Sequence, residues 1–239
     1  MLLKIMEKNE LIVFFRALSH DLRGSVGAAS TLIKMLGEEY GDHLDKRANN
    51  WLLLIQRENQ MATQKLKRLS EYAKLLAYES RMTNCNVNSI VQSCFDKFDS
   101  SVHSKLVTTP SPLPVVLSDE HLIQVCFTEL IANSLTHKNE AEHNNGKSGK
   151  EKTITISYHS GVSHHEFIYH DSNDNIDETQ IPYALSPFKI ANSANSETIN
   201  AGLGLNIVKL VITSLGGTLN VNTGGIANKT LKITIHLPK

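Results

Sequence analysis

Four groups of residues have types and spacings that could do chemistry. The first is Ser19-His20-Asp21-Leu22-Arg23. Around it Leu11, Phe15, Leu18, Leu22, Val26, Ala29, Ile33 and Leu36 recur in steps of three and four, which is one face of a long helix. Each residue turns an α-helix by about 100°, so His20 is predicted to point away from that face into water. An imidazole there, with an acid beside it, is placed to do chemistry on a soluble partner. With 11 histidines in the chain, His20 by itself would more often be an inert surface side chain. The second group is Glu129 and Asn133, four apart on a predicted helix and therefore on one side of it. A carboxylate and an amide so placed could order water and hold Mg²⁺, which takes oxygen ligands from few side chains plus phosphate. Taken alone, an exposed polar face is the commoner reading. The third is Asp171, which follows a predicted strand in Asp171-Ser172-Asn173-Asp174-Asn175-Ile176. The fourth is Asn200-Ala201-Gly202-Leu203-Gly204-Leu205, where glycines meet the start of a helix. Uncapped amides at a helix N-terminus bind phosphate, and glycine lets the backbone come close. One such pair of glycines is weak evidence by itself.

Two kinds of element must position these groups. The first helix is predicted over 8–36, and Gly37-Glu38-Glu39-Tyr40-Gly41-Asp42 is predicted to break it. In the second helix Ala48, Leu52, Ile55, Asn59, Ala62, Leu66, Leu69, Ala73 and Leu76 alternate steps of four and three, a sustained heptad seam. The two form an antiparallel hairpin. A lone hairpin leaves Leu53, Leu54 and Phe14 without cover, so a homodimer through residues 1–80, a four-helix bundle, is predicted. Asn59 in the seam is predicted to fix register.

Residues 81–88 are polar and read as a linker. Beyond them the pattern is mixed. Helices are predicted over 88–101, 120–137 and 202–214, and strands over 105–108, 115–117, 153–158, 166–170, 218–222 and 230–236. The last two strands are predicted to pair. The fold class is therefore α+β: an N-terminal hairpin (1–82) followed by an α/β two-layer sandwich (88–239).

Composition narrows the function classes. Twenty-four basic residues balance 24 acidic ones, so nothing in the net charge argues for nucleic acid or an anionic membrane as partner. No apolar run approaches the roughly 18 residues a membrane span needs, and residues 1–8 carry charges too early for a signal peptide. A cytoplasmic location is expected, with input from a partner or from residues outside this chain. Cys85, Cys94 and Cys126 form no CxxC pair and read as small buried thiols.

The order of the four groups is more specific than any one of them. A helical Ser-His-Asp-Leu-Arg, a heptad helix, Glu-x-x-x-Asn, an Asp at a strand end and Gly-Leu-Gly-Leu opening a helix resemble the bacterial two-component sensor histidine kinases across nearly the whole chain. Residues 8–80 resemble their dimerisation and phosphoacceptor hairpin. Residues 88–239 resemble the ATP-binding domain shared with gyrase, Hsp90 and MutL. The resemblance implies ATP and Mg²⁺ as cofactors and a response regulator receiver domain as partner. It makes His20 the phosphoacceptor and Asp21 the acid that orients it or takes its proton. Asn133 would hold Mg²⁺, with Glu129 ordering its water. His137 and Lys138 would lie near the phosphates, and Asp171 would accept from the adenine amine. Asn173 and Asn175 would line the nucleotide, Gly202, Leu203 and Gly204 would cradle its phosphates, and Pro187-Phe188 would precede the lid. Arg23, Ser30 and Lys34 are candidates for docking the receiver.

The chain departs from the family pattern where Asn173 and Asn175 replace two glycines, where Asn200 replaces a third, and where the lid is short. Ser25 stands where proline is common. Gly24, four after the histidine, offers no side chain to position a water, which implies weak phosphatase activity. Two readings follow from the resemblance: an ATP-dependent histidine kinase, or a histidine phosphotransfer protein whose kinase-like domain no longer uses ATP. A dimeric scaffold without catalysis is the third.

Overall fold

A computed structural model describes residues 8–98, 104–136, 152–172, 181–186, 203–223 and 230–239. It forms two compact units, Met1–Tyr78 and Glu79–Lys239.

The first unit is a helical hairpin of α1 (Lys8–Tyr40), a 3₁₀ turn (Gly41–His43) and α2 (Lys46–Leu76). The predicted break at residue 37 does not occur, and α1 runs on to Tyr40. A Cβ on Gly37 would lie 3.4 Å from Leu52 Cδ2, in ordinary van der Waals contact, so this glycine faces α2 within a continuous helix instead of making a turn. The turn itself is held by polar groups. Asn49 Nδ2 donates to the Gly41 and Leu44 carbonyls at 3.1 Å each. The Asp45 carboxylate accepts from Ala48 N at 2.7 Å and caps α2, the usual remedy for an unpaired first-turn N–H.

The inward line of α1 also differs from the predicted stripe. Ile12 and Ser19 are buried, whereas Leu22 and Leu36 are exposed. The line is Ile12, Ser19, Val26 and Ile33, a spacing of seven that suits two helices packed along a seam. The side chain of Leu11 lies outside the described residues. On α2, Leu66, Leu69 and Ala73 are buried, but Ile55 in the middle of the predicted seam is exposed within this single hairpin. Asn59 Nδ2 donates to the Val26 carbonyl at 3.2 Å and pins the two helices at one level.

The second unit runs β1 (Thr83–Asn86), α3 (Val87–Phe95), β2 (Ser104–Thr109), β3 (Val115–Ser118), α4 (Glu120–Thr136), β4 (Lys152–Ser160), β5 (His164–Asp171), α5 (Ile181–Ala184), α6 (Gly204–Ser214), β6 (Thr218–Thr223) and β7 (Leu231–Pro238). Five strands form one sheet in the order β2-β4-β5-β7-β6. The β2–β4 pair is parallel and the others are antiparallel, including the predicted β6–β7 pair.

The predicted linker over 81–88 contains strand β1, which pairs antiparallel with β3. Its residues are polar and only Cys85 is buried, so hydrophobic patterning carried no sign of it. Asp119 supports this ribbon, accepting from Arg81 N at 2.6 Å and capping α4 through Leu122 N at 2.9 Å. Asn86 then caps α3 by accepting from Ser89 N at 3.1 Å. Helix α3 ends at Phe95, six residues before the predicted 101, where Asp96 takes the C-cap and accepts from Gln92 Nε2.

Strand alternation gives the large sheet two unlike faces. Ile154, Ile156, Phe167, Tyr169, Ile233 and Ile235 are buried on one face. Phe127, Ile131, Ile207 and Val208 of α4 and α6 are buried with them. Each such side chain contributes about 1.5–3 kcal/mol when fully buried. The other face carries polar and half-buried side chains. Cys85, Cys94 and Cys126 are all buried thiols. Burial pushes the Cys126 thiol well above the ordinary range, with Cys94 and Glu129 adding to the effect.

One polar network crosses the core. Tyr169 Oη lies 2.7 Å from Ser134 Oγ and donates to the Leu130 carbonyl at 3.1 Å, tying α4 to β5. Tyr169→Phe is expected to destabilise the protein by about 1–2 kcal/mol, because it leaves buried polar groups short of a partner. Chemical denaturation of both proteins checks this. An unchanged midpoint would mean the network adds nothing.

Candidate functional site

In the hairpin unit His20 and Asp21 sit side by side on the open face of α1, with side chains 87% and 80% exposed. Their neighbour Ser19 is turned inward and buried. His20 Nδ1 lies 3.3 Å from Asp21 Oδ1. With the carboxylate at Nδ1, the tautomer carrying its proton there is favoured, and Nε2 is left with a lone pair facing solvent. The arrangement is that of an accessible nucleophile beside a proton acceptor. No side chain crowds the surface one turn on, where a Cβ on Gly24 would meet nothing within 4 Å.

In the second unit three elements bring the other candidates together. On α4 the buried side chains Leu122, Ile123, Cys126, Phe127, Leu130, Ile131 and Leu135 form a broad apolar arc. Val125 is half-buried. Glu129 and Asn133 lie at the edge of that arc, Glu129 buried and Asn133 half-buried. They do not form an exposed polar face. A carboxylate is not put among apolar groups without a compensating role.

Helix α6 packs against α4 at this edge. A Cβ built on Gly204 would stand 2.8 Å from both Asn133 Nδ2 and Oδ1. Glycine is thus the residue that lets the start of α6 reach the Asn133 amide. No side chain caps the N-terminus of α6 among the described residues, and the first-turn N–H groups of such a helix can meet an anion. Leu203, the N-cap residue, is buried, and its carbonyl accepts the first helical bond from Ile207 N at 2.8 Å.

Asp171 ends β5 on the sheet's inner face, between Ile154 of β4 and Leu231 of β7, and is fully buried. Alternation places it on the same face as Phe167 and Tyr169, the face that packs on the helices. Next to it Ser172 N donates to the Thr153 carbonyl and Ser172 Oγ accepts from Thr153 N, fixing the strand end.

Glu129, Asn133, Leu203 and Gly204 therefore belong to one helical edge, and Asp171 to the sheet face beneath those helices. His137, Lys138, Asn173, Asn175, Gly202 and Pro187-Phe188 lie outside the described residues. Sequence reasoning missed Tyr169 and Ser134, whose bond fixes α4 against β5 two residues before Asp171. It also missed Asn206, whose Nδ2 donates to the Leu185 carbonyl at 3.0 Å and ties α6 to the end of α5. A tyrosine and an asparagine in apolar runs were the available signals, since buried polar side chains need partners.

Gly204→Ala is expected to displace the Asn133 side chain and to destabilise this unit by about 1–3 kcal/mol, the usual cost of an overfilled contact. Thermal unfolding reads the loss. A variant as stable as the parent would show that α6 can retreat from α4 freely.

The donor set suits a nucleotide and its magnesium ion: hard oxygens from Glu129 and Asn133, helix N–H groups at α6 without a side-chain cap among the described residues, and a cradle at Gly204 that a Cβ would fill. Residues 118–239 match the family model described as histidine kinase-, DNA gyrase B-, and HSP90-like ATPase. Cyanobacterial phytochrome B of Nostoc sp. strain PCC 7120 is 26% identical over 217 residues, which are 90% of this chain and 28% of that protein. Among solved structures, full-length ShkA in complex with AMPPNP aligns at a TM-score of 0.62 and 16% identity, over 94% of this chain and 45% of that one. The Acinetobacter baumannii histidine kinase AdeS aligns at 0.55 and 17% identity, over 92% of this chain and 97% of that one. The chain thus spans less than half the length of phytochrome B and of ShkA. No helix among the described residues is long and apolar enough to cross a membrane. With a helical hairpin ahead of a matched ATPase domain, the chain has the fold of the two-component histidine kinases and belongs to the family of histidine kinase-, DNA gyrase B- and HSP90-like ATPases.

Proposed function

We propose that this chain is a protein histidine kinase that phosphorylates His20 from ATP and passes the phosphoryl group to an aspartate of a response regulator receiver domain. The observation that carries the reading is the contact of Gly204 with Asn133 beside Glu129, an edge shaped for phosphates and a hard cation. The AMPPNP bound by ShkA supports it by likeness of fold.

Asp171 accepts a hydrogen bond from the adenine amine, and the N–H groups at the start of α6 meet the phosphate oxygens. Asn133 and Glu129 would hold Mg²⁺, which takes oxygen ligands. That ion would neutralise charge on the phosphates. His20 Nε2 attacks the γ-phosphorus, forming a P–N bond as the bond to the β-phosphate oxygen breaks, and ADP leaves with the electron pair. Asp21 holds the Nδ1 proton and stabilises the cationic imidazole until the proton leaves to solvent. The chain supplies position and charge, which is most of what phosphoryl transfer requires.

The hairpin supports a homodimer through residues 1–80. Val13, Phe14, Leu32, Trp51, Leu53, Leu54 and Ile55 are all exposed on a single hairpin, more apolar surface than a monomeric helix pair keeps in water. Pairing two hairpins into a four-helix bundle covers it. For the receiver, Arg23, Ser30 and Lys34 are exposed on α1 beyond His20. Ser30 and Lys34 also line a groove with Gln56 and Gln60 of α2.

Calorimetry with ATP and Mg²⁺, run beside incorporation of label from γ-labelled ATP, tests the reading. Binding together with acid-labile label on His20 supports the kinase. No binding at millimolar ATP overturns it. Uptake of phosphate by His20 from a phosphorylated receiver domain would then favour the phosphotransfer alternative.

A further inference from the structure

On the outer face of the sheet, away from the helices, strand pairing assembles a cluster that nucleotide chemistry does not use. His164 and Glu166 are two apart on β5 and share a face, and Glu166 stands opposite His236 of β7. His236 Nε2 lies 2.8 Å from Glu166 Oε2. The rings of His164 and His236 meet edge to face at 4.9 Å. One donor atom from each of His164, Glu166 and His236 lies within 4.8 Å of the other two. His159 of β4 stands across from Glu166 on the same face.

We propose that His164, Glu166 and His236 bind one borderline divalent transition ion of the Zn²⁺ type, with water completing the coordination. Two imidazoles and a carboxylate are a donor set that such ions prefer and that Mg²⁺ does not. In tetrahedral coordination at about 2.0–2.1 Å, donor atoms stand about 3.3 Å apart. The present 2.8 Å contact needs to open slightly, and the donor atoms, now within 4.8 Å of one another, need to draw together around the ion. The His236 Nε2 proton is released to solvent and the ion takes its place between nitrogen and carboxylate.

The site is built in two further ways. His236 Nδ1 lies 3.3 Å from Thr218 Oγ1 on β6. A bond from Nδ1–H to that hydroxyl sets the tautomer that frees Nε2, as partners of ligating histidines commonly do. The hairpin between β4 and β5 makes room for His164: a Cβ on Gly161 would come within 3.0 Å of its ring. Glu166 and His236 side chains are 28% exposed, enough shelter to hold the ligands and enough access for an ion.

The test is calorimetric titration of the full chain with Zn²⁺ in millimolar Mg²⁺, which occupies the hard-oxygen site. One equivalent is expected to bind, and His164→Ala, Glu166→Gln and His236→Ala are each expected to weaken it by about tenfold or more. His43→Ala, in the helical turn, is expected to change nothing. Co²⁺ gives a second readout, because its visible absorption in a tetrahedral N/O site is lost with the ligands. If His236→Ala fails to fold, Glu166→Gln, which keeps the side chain's shape, decides. Equal Zn²⁺ affinity in the parent and in Glu166→Gln and His164→Ala overturns the proposal. So does the absence of binding at Zn²⁺ concentrations of about 100 μM.

Discussion

His20→Ala is expected to abolish acid-labile phosphate incorporation from ATP while leaving nucleotide affinity and thermal stability unchanged. The imidazole is 87% exposed, and its polar contact is with Asp21, itself 80% exposed. Surface substitutions of this kind usually stay within about 0.5 kcal/mol. Loss of label therefore cannot come from unfolding. Phosphate on nitrogen is cleaved by acid and survives alkali, so the chemistry of the label identifies its carrier. Asp21→Asn provides a graded companion. It keeps the side chain's size but weakens its hold on the Nδ1 proton, and the transfer rate is expected to fall by about a hundredfold, within the range of positioned acid–base groups. Label that persists in His20→Ala would place the acceptor elsewhere.

What the sequence disclosed and what it hid follow physical lines. The hairpin was legible because a seam repeats over many turns, and each apolar residue confirms the next. Its details were not. Ser19 is buried and Leu22 is exposed, since a helix packed on one partner turns its face by tens of degrees and hydrophobicity alone does not mark the angle. Gly37 read as a breaker because local chemistry says nothing of the Leu52 side chain beside it. Strand β1 was invisible, since its stability comes from pairing with β3, 29 to 35 residues away, and from the Asp119 bond to Arg81, 38 residues away. The order of motifs pointed to Glu129, Asn133, Asp171 and Gly204. That Gly204 touches the Asn133 amide could be known only from three dimensions. The outer-face cluster is the extreme case. Glu166 and His236 are 70 residues apart and become neighbours only because β7 lies beside β5.

Asp171→Asn is expected to weaken ATP binding by roughly 10- to 150-fold while the fold is kept. The carboxylate is fully buried at the end of β5, on the face that packs against α4 and α6. In the proposed nucleotide site its carboxylate is the acceptor for the adenine amine. Hydrogen bonds to a charged group contribute about 1.5–3 kcal/mol, and each 1.4 kcal/mol is tenfold in affinity. The asparagine is nearly the same size, so packing around Phe167 and Tyr169 is preserved. It brings an N–H₂ group that can face the adenine amine as a second donor. Its bond is then neutral at best and repulsive at worst. GTP discriminates this role from a general disturbance. Guanine carries a carbonyl where adenine carries the amine, so Asp171→Asn is expected to lose preference for ATP over GTP as well as affinity. Calorimetry with both nucleotides measures the two effects together. Equal losses for ATP and GTP would mean that Asp171 shapes the pocket without reading the base.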